Sequence, residues 1–128
     1  MKLIKIPVEG DLELVDVPLG DYELPEIFSG SIIEHVRFTI PNTMSMFEYQ
    51  DTEHGVKQWV VMLVDENGIP MGLPLNQRAS LLYQGGRHNA NLYGDAYLAL
   101  ETRDPVEGDI WSSLKDPYDD VNFWNQWF

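Results

Sequence analysis

Cysteine is absent from this chain. That excludes disulfides, thiolate nucleophiles, and zinc or iron–sulfur sites built on cysteine ligands. Basic side chains are scarce: eight Lys and Arg stand against 21 Asp and Glu, a formal net charge of −13. Such a surface repels nucleic acid and anionic membranes, so neither is expected as a direct partner. No window approaches the roughly 18 consecutive apolar residues of a membrane span. Lys5 also breaks the apolar stretch that a signal peptide would continue. A soluble protein that stays in the cytoplasm is expected.

Catalytic patterns are lacking as well. His35, His54 and His88 form no HxH or HExxH pair, and no serine sits in GxSxG. Asp116, Asp119 and Asp120 match no calcium-loop spacing and read as a solvated acidic face. Carboxylates are too abundant for any pair to stand out as an acid–base couple. No metal, cofactor or catalytic residue is assigned from these patterns, and the chain reads as a non-enzyme.

What is present suits one packed domain: 128 residues, 44% hydrophobic, with four Trp, six Tyr and five Phe. Residues 2–8 and 12–17 are Ile/Leu/Val-rich runs around Glu9-Gly10-Asp11, the pattern of a β-hairpin. Residues 21–37, with Leu24, Ile27, Phe28, Ser31 and Ile32 recurring at three and four, suggest a short helix, followed by a strand over His35 to Ile40, while Pro41 to Gly55 reads as loop. Trp59 to Val64 is a buried strand, and Asp65-Glu66-Asn67-Gly68 a turn. A helix over 77–84 starts behind an Asn76 cap, points Leu81 and Leu82 at the core, and stops at Gly85-Gly86. Ala96 to Leu100 is a strand, and 104–117 is extended or loop. The fold class that follows is α+β: a small, largely antiparallel sheet with one or two helices on one face. The division expected is an α+β domain over 1–101, then an acidic, aromatic extension over 102–128 that ends in a short helix.

Charge is unevenly placed. Between Lys5 and Arg37 no Lys or Arg occurs, yet Glu9, Asp11, Glu13, Asp16, Asp21, Glu23, Glu26 and Glu34 do. Alternate strand residues lie about 6.6–6.8 Å apart on one face. Glu9, Asp11 and Glu13 therefore suggest a row of carboxylates that imitates a DNA strand towards a basic protein. In the last stretch, DPYDDVNFWNQWF, Val121, Trp124 and Phe128 share one helical stripe with Trp127 beside it, and Asp119 and Asp120 stand at the helix N-terminus. The stripe either docks on the sheet or offers an aromatic anchor to another chain. Partner-binding candidates are thus Glu9, Asp11, Glu13, Asp16, Asp119, Asp120, Trp124, Trp127 and Phe128. A homodimer is compatible with edge strands and exposed aromatics. The alternative is a small enzyme or binder of a phosphorylated metabolite using Arg78, Arg87 and His88, the last two in the Gly-rich stretch QGGRHNAN.

The order of segments carries a resemblance. KLIKIPVEG and LELVDV come first, then VVMLVDENG, GLPLNQRAS and YGDAYLALE. This resembles the domain-of-unknown-function family DUF3846 of phages, plasmids and other mobile elements. The matching residues are Leu73, Pro74, Asn76 and Ala79, with Gly94 and Asp95. The resemblance covers roughly residues 1–101. It implies a phage or mobile-element accessory protein in a bacterial host's cytoplasm, acting by binding a host or phage protein, and it implies no activity or cofactor. A DNA-mimic inhibitor of a host defence or DNA-processing protein is the specific form of that expectation.

Overall fold

The computed structural model describes residues 1–17, 33–51, 56–65, 69–85, 90–104, 106 and 108–128. The expected helix over 21–37 lies outside them up to residue 32, and its last five residues are strand; the turn residues 66–68, Arg87 and His88 also lie outside them.

Two long strands form the centre. β5 (Val56–Asp65) and β6 (Ala96–Asp104) pair antiparallel from Lys57↔Arg103 to Leu63↔Tyr97. Val60 to Leu63 and Ala96 and Leu98 to Leu100 have no exposed surface, so both sheet faces are covered here. That explains why these strands read as continuous apolar runs rather than alternating ones. β1 (Lys2–Ile6) pairs with the first part of β6, and β2 (Glu13–Asp16) pairs with β1 to close one edge. Gly10 takes φ +95° in the connection, the left-handed backbone that its place in the hairpin requires. β3 (Ile33–Arg37) and β4 (Glu48–Asp51) both pair with β5 on its far side. β7 (Gly108–Ser112) pairs with the second half of β6. The spatial order is β2-β1-β6-β5-β3, every pairing antiparallel.

Two strands differ from expectation. β4 lies where a loop is read, because Phe47 is buried, and its carbonyl accepts from Val60 N–H at 2.9 Å, holding the next residues against β5. β7 lies in the acidic, Gly-punctuated segment. Its ladder to β6, rather than its composition, makes it a strand. The boundary expected after Glu101 therefore falls inside β6. The C-terminal segment supplies a strand, the buried Leu114 and the buried Trp124, so it shares the core of the rest.

α1 (Gln77–Gly85) and α2 (Val121–Asn125) bring Ala79, Leu82 and Trp124 against Ile4, Ile6, Val60, Met62, Leu98 and Leu100. Leu82 is buried but Leu81 is 58% exposed, a correction to the expected pair. Adjacent helical residues diverge by about 100°, and the Ala79–Leu82 spacing selects the inner one. The opposite sheet face carries Met1, Leu3, Trp59, Val61, Leu63, Tyr97 and Ala99. Among the described residues no helix is long and apolar enough to cross a membrane.

Candidate functional site

The GLPLNQRAS segment is a structural clasp. Asn76 has no exposed surface, and its Oδ1 accepts from Ala79 N–H at 3.0 Å, capping α1. Its Nδ2 donates to Ile6 O at 2.8 Å and Gly94 O at 2.9 Å. Gly94 stands at φ +78°, and a Cβ there would meet Leu73 Cδ1 at 2.9 Å. Gly94 N–H donates to Pro74 O, and Asp95 Oδ1 accepts from Val8 N–H at 2.9 Å. Leu73, Pro74, Asn76, Ala79, Gly94 and Asp95 thus converge where β1, α1 and β6 meet. Arg78 belongs to the same junction, donating from Nη2 to Pro7 O at 2.7 Å. That bond engages one of the five guanidinium N–H donors, and Arg87 and His88 lie outside the described residues.

The acidic candidates separate into two sets. Glu9, Asp11, Glu13 and Asp16 are exposed on the β1–β2 hairpin at the sheet edge. Among the described residues their one ion-pair partner is the Met1 ammonium, 3.3 Å from Asp16 Oδ1. β2 begins at Glu13, so Glu9 and Asp11 stand in the connecting loop and the three do not form a strand row. Asp119 and Asp120 lie at the start of α2, where Asp120 Oδ1 accepts from Asn122 N–H at 2.9 Å. That segment is tied to β4, since Tyr118 O–H donates to Glu48 O at 2.6 Å. β2 and β4 stand four strand spacings apart, about 19 Å at ~4.8 Å each. The two acidic sets thus stand on different elements of the fold.

The aromatic candidates also divide. Trp124 is fully buried, stacks against Phe47 at 4.9 Å, and donates from Nε1 to Tyr118 O at 2.6 Å. It is core and leaves the set of contact residues: a residue without surface cannot meet a partner. Trp127 is half-buried against Phe47, and Phe128 is 40% exposed.

A further constellation, which the sequence does not announce, lies on the sheet face away from the helices. Trp59, Glu101 and Trp111 occupy directly opposed positions on β5, β6 and β7. Glu101 is the one charged side chain in the buried class among the described residues. Its Oε1 accepts from Arg37 Nη2 at 3.0 Å, and its Oε2 stands 3.9 Å from His35 Nε2. The Arg37 and Arg103 guanidiniums lie over the Trp59 ring, at 5.1 and 5.7 Å from its centroid. The His35 ring meets Trp111 at 5.5 Å. Lys57 opposes Arg103 across the ladder. Arg37 and His35 thus face one buried carboxylate, with Arg103 over the neighbouring Trp59 ring. In the sequence Glu101 is one acid among 21, and only strand register brings it to these partners.

Two other arrangements carry less. A cleft of about 80 Å³ lies between Glu34, Val64, Asp65, Ile69, Asn91, Leu92 and Tyr93, well below the ~300 Å³ of a small-molecule site. Ser112 and Lys115 have Ser-x-x-Lys spacing, but the Lys115 ammonium sits over the Tyr49 ring at 5.0 Å. Among the described residues no group of three or more His, Cys, Asp or Glu is placed to hold a metal ion. No family model, curated protein or solved structure matches the chain.

Proposed function

We propose that the chain is a non-catalytic accessory protein of phage or mobile-element type that binds a basic host or phage protein through its acidic hairpin edge. The observation that carries the reading is the exposure of Glu9, Asp11, Glu13 and Asp16 at a terminal edge of the sheet. Uncompensated surface charge of one sign costs stability through self-repulsion and raises association rates with an oppositely charged partner. A DNA-binding protein has the groove such an edge would fill, which makes a DNA-mimic inhibitor of a defence or DNA-processing protein the specific form of the proposal. The resemblance to DUF3846 supports the mobile-element setting. The competing phosphorylated-metabolite reading draws on Arg78, which is held at the β1–α1 junction by its bond to Pro7 O.

The test is affinity capture from a bacterial host at low and high salt, followed by binding measurements with the purified partner. The variant Glu9→Gln, Asp11→Asn, Glu13→Gln, Asp16→Asn removes four charges without truncating a side chain. At about 0.2–1 kcal/mol per exposed pair it weakens binding on the order of 10- to 100-fold. Unchanged affinity in this variant excludes the hairpin edge.

A further inference from the structure

The two oxygens of Glu101 are treated differently. On the Oε1 side the carboxylate binds the Arg37 guanidinium at 3.0 Å, and that guanidinium lies over Trp59. On the Oε2 side there is a matching indole, Trp111, but among the described residues no hydrogen bond reaches the oxygen although it is buried. His35 fills this half of the arrangement without completing it. Its Nε2 is 3.9 Å from Oε2, beyond hydrogen-bond reach, and its ring leans on Trp111. A buried carboxylate oxygen without a donor is costly and rare, and points to a group that binds there.

We infer that the Oε2 side of Glu101 is a binding site for a guanidinium, the arginine side chain of a basic protein partner. The guanidinium stacks on Trp111 and bonds to Oε2 in the place His35 now holds. Three features select that chemistry. The Oε1 half shows the same pairing of carboxylate and indole already holding a guanidinium, so Trp111 and Oε2 offer the mirror of an occupied cradle. Of the two long side-chain cations, the guanidinium rather than the ammonium is planar, so it can stack on an indole while its edge bonds a carboxylate. His35 is 38% exposed on β3, so its side chain can turn outward to solvent without moving the strand. The net charge of −13 draws such a partner in. This site deepens the proposed function and rests on its basic partner, but it stands on different residues from the hairpin edge.

The test uses the intact chain and N-acetyl-arginine methylamide as probe, with the lysine analogue and the neutral citrulline analogue as comparators. The readout is the Trp111 indole N–H and His35 ring resonances. The arginine probe shifts both saturably, the lysine analogue shifts them more weakly, and the citrulline analogue leaves them in place. His35→Ala clears the site and tightens the arginine probe severalfold. Trp111→Leu abolishes the His35 shift while the Trp124 resonance reports an intact core. The site is refuted if the arginine probe moves neither resonance, if citrulline binds as well as arginine, or if His35→Ala weakens binding. Comparison with the captured partner separates the two claims. A partner lost by the four-residue hairpin variant but fully retained by Trp111→Leu removes this site and keeps the edge. A partner retained by the hairpin variant but lost by Trp111→Leu keeps this site and removes the edge.

Discussion

Asn76 is the residue on which most structure converges. It caps α1 and ties Ile6, Gly94 and Leu92 together through its side chain and backbone, all without contact with water. Asn76→Ala leaves two buried carbonyls and one helix N–H without partners. At about 1–3 kcal/mol for such groups, a loss of ~3 kcal/mol and a fall in Tm on the order of 10 °C follow, measurable by calorimetry. Arg78→Ala, by contrast, removes a single part-buried hydrogen bond and costs about 1 kcal/mol, with partner binding unchanged. Loss of function in Arg78→Ala with the fold intact would revive the metabolite reading. The cap was legible because Pro-Leu-Asn ahead of Ala and Leu allows few other structures. Glu101 was not legible, because nothing local separates a carboxylate that ends up under two tryptophans from one that faces water.

Elements show the same division. β5 and the start of β6 were readable from continuous apolar runs, since residues covered on both faces leave no alternation to hide them. β4 and β7 were not, because each is four or five residues long and is held by the ladder of its neighbour. α2 is five residues long and owes its place to packing: Trp124 sits among Phe38, Phe47, Tyr118 and Phe123. Trp124→Ala therefore opens a core cavity and costs about 3–5 kcal/mol, read from urea midpoints. Deletion of 118–128 destabilises the whole chain rather than merely removing an anchor, and a truncated chain with an unchanged Tm would contradict the packing described. The same region responds to alkali. Burial, followed by the nearby Glu48, holds Tyr118 above its ordinary value of 10.0. Tyr83 and Tyr97 are raised as well, again first by burial. The folded chain then retains protons that the unfolded chain releases, so this contribution to stability is full below about pH 10 and falls as pH rises through the raised values. Urea midpoints that stay level from about pH 9 to 11 would show these hydroxyls to be unprotected.

For the whole molecule, charge and fold pull apart. The sheet joins the chain's two ends: the Met1 ammonium bonds Val17 O and Asp16, and Lys2 meets Ser113 and Leu114. The terminal acids are brought into one domain on separate elements, so total charge does not reveal which acids act together. The hairpin acids stand at one terminal edge of the sheet. The most direct measurement is the dissociation constant for the captured partner against salt concentration, for the chain and its four-residue hairpin variant. Screening of exposed pairs predicts that affinity falls steeply with salt for the unaltered chain and with a visibly shallower slope for the variant. Two parallel lines of equal slope would place the partner elsewhere on the molecule and contradict the hairpin edge as its contact.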